Sequence, residues 1–218
     1  MLETNNNGKD GNKQIPAISR HISLIRRLAF MALFGFDAVL DKNGRLYFRL
    51  LCRLIDEAYD EYNSARDLII KEFETQDQRL YYERILNYRF DIINHLETCL
   101  NAINRAARTF KTLMKDNSNL LKYMSKESIE KINNFDTSSV RNRVEHIDDD
   151  IQEGKFSGPL FLDIDNNYQR IGINRRWIAF QDIVFIIETY YNTVLEIFTN
   201  LPNKQEKGHF YHDDVLIQ

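Results

Sequence analysis

The sequence predicts an all-α fold: a four-helix-type bundle that carries a small β-hairpin just before its last helix. Three observations predict it. Apolar residues recur at alternating steps of three and four along four long stretches, the period of a helix with one buried face. Only three prolines and eight glycines are spread over 218 residues, so little would interrupt a long helix. One short stretch, from 160 to 173, drops that period for alternation and is bracketed by turn residues.

Residues 1–14 are polar, with Asn5-Asn6-Asn7-Gly8 among them, and read as a disordered tail. A single domain is expected from 15 to 202. Its first helix is predicted from about 17 to 40 on Ile18, Ile22, Ile25, Ala29, Ala32, Phe36 and Val39, which leaves His21 off the stripe as a surface residue. Asp41-Lys42-Asn43-Gly44 is turn chemistry; it begins like a calcium loop but lacks the later acidic ligands. The second helix, about 45 to 74, buries Phe48, Leu51, Ile55, Ala58, Tyr62 and Leu68. It turns Asp56, Glu57, Asp60 and Glu61 to solvent. The third, about 76 to 115, has the strongest period: Leu86, then Ile93, Leu96, Leu100, Ile103, Ala107, Phe110 and Met114, a seam of coiled-coil type. A helix this long, on the order of 60 Å, exceeds what a compact domain of this size needs, so it is expected to kink, to project or to dimerise. Arg105, Arg108 and Lys111 form a basic, solvated edge.

Short helical turns are expected between Asn117 and Phe135. They lead to a helix that opens at the N-cap residues Asp136, Thr137 and Ser138 and ends near Gly154. Ser157-Gly158-Pro159 is a stop. Leu160, Leu162 and Ile164, then Ile171 and Ile173, flank Asp165-Asn166-Asn167 as the two strands of the hairpin. Asp163-x-Asp165-x-Asn167 starts like an EF-hand loop, but Tyr168 and Asn174 occupy the glycine and glutamate positions. The last helix, about 178 to 201, carries Ile183, Ile187, Tyr190, Val194, Ile197 and Leu201 and stops before Pro202. Residues 203–218 read as a loose tail, with His209 and His212 as surface histidines rather than a metal site.

Composition narrows the function. A net charge of −3 excludes nucleic-acid binding by overall charge and leaves room only for a local basic pocket. Cys52 and Cys99 lack metal-ligand spacing and read as buried, reduced thiols. The longest uncharged apolar run, Leu28 to Phe36, is too short to span a bilayer and lacks a cleavage site, so a cytoplasmic chain without a membrane partner is expected. No P-loop, GxGxxG, GxSxG or zinc spacing occurs, and no cofactor or metal is expected. A di-metal oxidase needs Glu-x-x-His pairs on two helices, and none of the predicted helices carries one.

The helix from Asp136 holds the pattern that carries chemistry, Arg141-Asn142-x-x-x-His146. Val140, Val144, Ile147 and Ile151 make its narrow apolar stripe. Arg141 and Arg143 fall on opposite flanks of that stripe, and His146 lies roughly 130° from its centre. Arg, Asn and His are therefore offered outward. The pattern resembles the R-x4-6-H motif of the HEPN superfamily, whose arginine is usually followed by a polar residue, here Asn142. That resemblance implies a HEPN-like helical bundle. In many members it implies a metal-independent endoribonuclease of toxin or antiviral-defence type; other members are non-catalytic scaffolds or nucleotide-binding modules.

By the same resemblance His146 is the acid/base, Arg141 the phosphate clamp and Asn142 the orienting residue, with Arg143 assisting at the substrate. The residue types suit the reaction. Histidine transfers protons near neutrality, and arginine meets a phosphorane with a permanent planar charge. Residues five apart on a helix diverge by about 140°, so one helix does not aim both groups at one phosphate, and a homodimer with a shared cleft is expected. The implied partners are RNA, a second copy of the chain, and an antitoxin or regulatory protein. The alternative is a non-catalytic interaction or regulatory module, in which Arg141 and Arg143 pair with Glu145, Asp148 and Asp149 and His146 is a bystander. Asp148-Asp149-Asp150 also repels phosphate and favours that alternative.

Overall fold

The computed structural model describes residues 15–19, 21–32, 40–74, 81–133, 152–153, 162–165, 169–173 and 176–201. Three long helices carry the core: α2 (Lys42–Glu74), α3 (Tyr81–Asp116) and α5 (Phe180–Asn200). Two short ones flank them, α1 (Leu24–Ala32) and α4 (Lys126–Asn133), the latter preceded by a 3-10 turn at Ser118–Tyr123. Strands β1 (Asp163–Ile164), β2 (Arg170–Ile173) and β3 (Arg176–Ala179) form one antiparallel sheet in that order. The predicted all-α bundle is thus a mostly helical fold with a three-stranded sheet.

Cross-helix partners fix the packing. Glu61 of α2 meets His95 of α3, Glu72 meets Arg89, and Gly44 lies against Asn117 just beyond α3, so α2 and α3 run antiparallel. Phe48 packs edge-on to Phe198 at 5.4 Å and Tyr62 to Phe180 at 6.4 Å, so α5 runs antiparallel to α2 as well. Phe110 of α3 meets Tyr190 at 5.9 Å and closes the triangle. Edge-to-face rings at such separations add to the stabilisation from burial alone.

The α2 register begins at a cap. Asp41 accepts the Gly44 N–H through its carboxylate at 2.5 Å and the Arg45 N–H through its carbonyl at 3.0 Å. The segment Asp41–Gly44, expected as a free turn, is therefore the N-cap and first turn of α2, because a capping aspartate satisfies donors the helix leaves open. A larger residue at Gly44 would make the side-chain ends of Asn117 and Asp41 shift. A Cβ at this position would lie 2.8 Å from Asn117 Oδ1 and 2.9 Å from Asp41 Oδ1.

The core of α2 includes the expected Phe48, Leu51, Ile55, Ala58 and Tyr62, to which Cys52, Leu54, Ala65 and Ile69 are added; Leu68 is only partly buried. On α3 the predicted seam residues Ile93, Leu96, Ile103 and Phe110 are buried, and Leu100, Ala107 and Met114 pack partly against the core. A second stripe, Ile92, Cys99, Ala106 and Leu113, is buried beside it. The buried face of α3 is wide because it packs on α2 and α5 together. Its seam is used within the chain. Every predicted core residue of α5, Ile183, Ile187, Tyr190, Val194, Ile197 and Leu201, is buried.

The first predicted helix differs most. Helix α1 begins at Leu24, and the described residues before it are not helical. Leu24 and Leu28 are its buried side chains, whereas Ile22 is 59% and Ile25 37% exposed and Ala29 faces out. The cause is capping. Ser23 accepts the Arg26 N–H through its hydroxyl at 3.3 Å, and the described residues before it, without regular structure, are bonded to side chains of α2 and α5.

Ser125 caps α4 in the same way, accepting the Ser128 N–H at 3.1 Å, while its own N–H donates to Glu196 of α5 at 2.9 Å. In the sheet, Asp165 Oδ1 accepts the N–H groups of Gln169 and Arg170 at 2.7 and 2.9 Å and closes the β1–β2 turn. The sequence predicts two strands there; β3 is the third, and it runs straight into α5 at Phe180. Trp177 on β3 sits opposite Gly172, with the Arg170 guanidinium 5.8 Å from its ring centre. Among the described residues, no helix is long and apolar enough to cross a membrane.

Candidate functional site

The sequence-predicted site residues Arg141, Asn142, Arg143 and His146 all lie outside the described residues, as do the rest of their predicted helix from Asp136 to Ile151 and the two tails. What the structure brings together is a different set of chemistry-bearing groups, gathered where residues 15–25 cross α2 and α5.

Asp56 of α2 is the centre of that set. Its carboxylate accepts the Leu24 N–H at 2.8 Å, the Ile25 N–H at 3.0 Å and the Ser23 hydroxyl at 2.7 Å. An α-helix leaves its first N–H groups without intrahelical partners, and a negative charge there also meets the positive end of the helix dipole. Asp56 therefore caps α1 from another helix. Glu188 of α5 accepts the Ser19 N–H and hydroxyl, each at 3.3 Å. The Tyr191 hydroxyl accepts the Ile22 N–H at 3.2 Å and donates to the Ile22 carbonyl at 3.0 Å. Lower on α2, the Tyr62 hydroxyl donates to the Pro16 carbonyl at 2.8 Å and Arg66 Nε–H donates to the Ile15 carbonyl at 3.3 Å.

His21 lies inside this arrangement. Its ring centre is 3.8 Å from that of Tyr191, tilted by 44°, and 4.8 Å from that of Tyr59, edge-on. Nε2 is buried without a hydrogen-bond partner among the described residues. Burial lowers the pKa of His21, and the carboxylates of Glu188 and then Asp56 pull it back up. His21, expected at the surface, is half-buried. That expectation rested on a helical angle, and residues 21–23 are not helical.

The second cluster joins α2 to α3. His95 Nδ1 lies 2.5 Å from Glu61 Oε2, with both side chains about one-third exposed. A carboxylate on one ring nitrogen fixes the tautomer and leaves the other nitrogen directed away, the arrangement that orients a general base. Neither residue stands out in the sequence. Each flanks its helix's apolar stripe, and only the α2–α3 register brings them together. Two of the four carboxylates expected to be a solvated face, Asp56 and Glu61, thus hold other elements in place. The Asp60 carboxyl beside them is pushed above the usual range by desolvation and by the like charges of Asp56 and Glu61.

Cys52 and Cys99 are free and fully buried, and burial raises both thiols. The thiolate is the reactive form, so neither residue is poised as a nucleophile. Among the described residues, no three His, Cys, Asp or Glu side chains gather as a metal-ligand group. Compared with protein-family models, curated proteins and solved structures, the chain matches none.

Proposed function

We propose that the chain is a HEPN-like helical protein that cleaves RNA without a metal, with His146 as acid/base, Arg141 as phosphate clamp, Asn142 as orienting residue and Arg143 at the substrate. The observation that carries this reading is the sequence Arg141-Asn142-x-x-x-His146, set behind N-cap residues in a chain whose described part is mostly helical. The chemistry requires a 2′-OH to be activated, a phosphorane charge to be held and a 5′-oxygen to be protonated. One histidine and one arginine per site supply most of that. Two copies of the chain sharing a cleft would bring the arginine of one to the histidine of the other. With the α3 seam buried inside the chain, the case for a dimer rests on that motif geometry alone.

A second reading, a non-catalytic interaction or regulatory module, is favoured by a separate observation. The described histidines and two of the α2 carboxylates are committed to holding helices and the 15–25 segment together. The two readings part in one assay: wild type, His146→Ala and Arg141→Ala on labelled single-stranded RNA in EDTA. The nuclease reading expects cleavage by wild type alone, leaving 5′ fragments that end in a 2′,3′-cyclic phosphate. Equal activity in all three proteins leaves the module reading standing. Light scattering that gives a monomer mass at tens of micromolar removes the shared cleft.

A further inference from the structure

The described residues between 15 and 32 touch the rest of the molecule through apolar and polar groups alike. Their underside buries Ile15, Ile18, Leu24 and Leu28. Their backbone is held by the carboxylates of Asp56 and Glu188, the hydroxyls of Tyr62 and Tyr191, and the guanidinium of Arg66. Helices α2, α3 and α5 also meet one another directly, through Phe48, Tyr62, Phe110, Phe180, Tyr190 and Phe198. The segment is a strap laid over these helices, its apolar side chains part of their core.

We propose that this strap is released by acid, with His21 as the trigger, and that its release uncovers the apolar surface of α2 and α5 beneath it. An imidazolium carries an N–H on both ring nitrogens. Here Nε2 is buried with no acceptor among the described residues, so protonation would leave a charged donor unmet. The groups facing His21 are Tyr59 and Asp56 from α2, with Asp60 one turn further on, and Tyr191 and Glu188 from α5. The described residues of the strap from 15 to 25 contain no other ionisable side chain. The two carboxylates draw a proton toward the ring, and burial opposes them more strongly, so the neutral form is favoured in place. What the neutral ring contributes is complete above about 6.5, the value of a free histidine, and is lost as pH falls from there to the lowered value in the fold.

This inference is independent of the RNA reading. Hydrogen exchange on the full chain at pH 7.5 and pH 5.5, corrected for the intrinsic exchange rate, tests it. Amides of residues 22–32 should lose protection severalfold, with about tenfold as the ceiling for one histidine, at the lower pH while those of α3 hold theirs. His21→Phe keeps an aromatic ring between the two tyrosines without a titrating nitrogen and should abolish the loss. Should that variant fail to fold, NMR titration of His21 in the wild type decides the matter, with a midpoint below that of a free histidine expected. Protection equal at both pH values, a loss shared by α3, a loss that persists in His21→Phe, or a His21 midpoint at or above 6.5 overturns the proposal.

Discussion

The α2–α3 pair and the strap of residues 15–32 lie on the same core, yet different physics holds each in place. Helices α2 and α3 meet along nearly their whole length, on the order of 50 Å, through side chains such as Leu54, Ile55, Leu96 and Ile103 that are at most 2% exposed. Each contributes a share of apolar burial, and no single contact decides the pairing. The strap buries only Ile15, Ile18, Leu24 and Leu28 among its described residues and adds a concentrated set of polar contacts, in which one carboxylate, Asp56, satisfies three of its donors. Distributed apolar contact gives a helix pair that tolerates polar change. Concentrated hydrogen bonding gives a segment that one side chain, or one proton, can free. The same contrast separates permanence from control: where stability is shared among many residues it is hard to regulate.

Three substitutions test the contrast, from the largest expected effect to the smallest. Leu96→Ala opens a cavity in the α2–α3 interface and should cost about 2–5 kcal/mol in a urea melt. A loss below about 1 kcal/mol would show that the interface closes around the gap and is less tightly packed than the burial implies. Asp56→Ala strands the Ser23 hydroxyl and two helix N–H groups and should cost about 1–3 kcal/mol. Its exchange signature should be confined to residues 15–32; loss of protection along α3 would mean that strap and core unfold as one unit. Tyr191→Phe removes only the hydroxyl that bridges the Ile22 N–H and carbonyl, leaves the ring against His21, and should cost about 0.5–1.5 kcal/mol. A silent Tyr191→Phe would place the hold on Ile22 elsewhere in the strap.

The contrast also marks what the sequence could tell. The long elements were legible because a wide buried face writes its period into the chain, as Ile183, Ile187, Tyr190, Val194, Ile197 and Leu201 do on α5. On α3 the period was read too narrowly. Cys99, Ala102 and Ala106 are small, and a face turned to two neighbours at once exceeds a single seam. The start of α1 was not legible, because the carboxylate that holds it stands 33 residues away on another helix. Ile22 and Ile25 fit a helical stripe on paper while facing solvent. The helical angle misplaces His21 for the same reason: such an angle has no meaning for a residue that precedes the helix. The predicted last helix, starting at about 178, takes in the second half of strand β3, because four residues are too few to show alternation before a strong helical period begins. The proposed site from Arg141 to His146 was read from the sequence alone and lies outside the described residues.

The contacts between strap and α5 have a further consequence, for the order in which the chain comes together during synthesis. Ser19 and Ile22 find Glu188 and Tyr191 across 169 positions of sequence. At roughly 5–20 residues per second, the second partner emerges on the order of 10–30 s after the first. Asp56 arrives far sooner, so the strap can settle on α2 while the ribosome is still at work. Its seal waits for the last helix. Until then Leu24 and Leu28 rest on a half-built platform, and a nascent chain paused before residue 180 would display an apolar edge to whatever chaperone attends it.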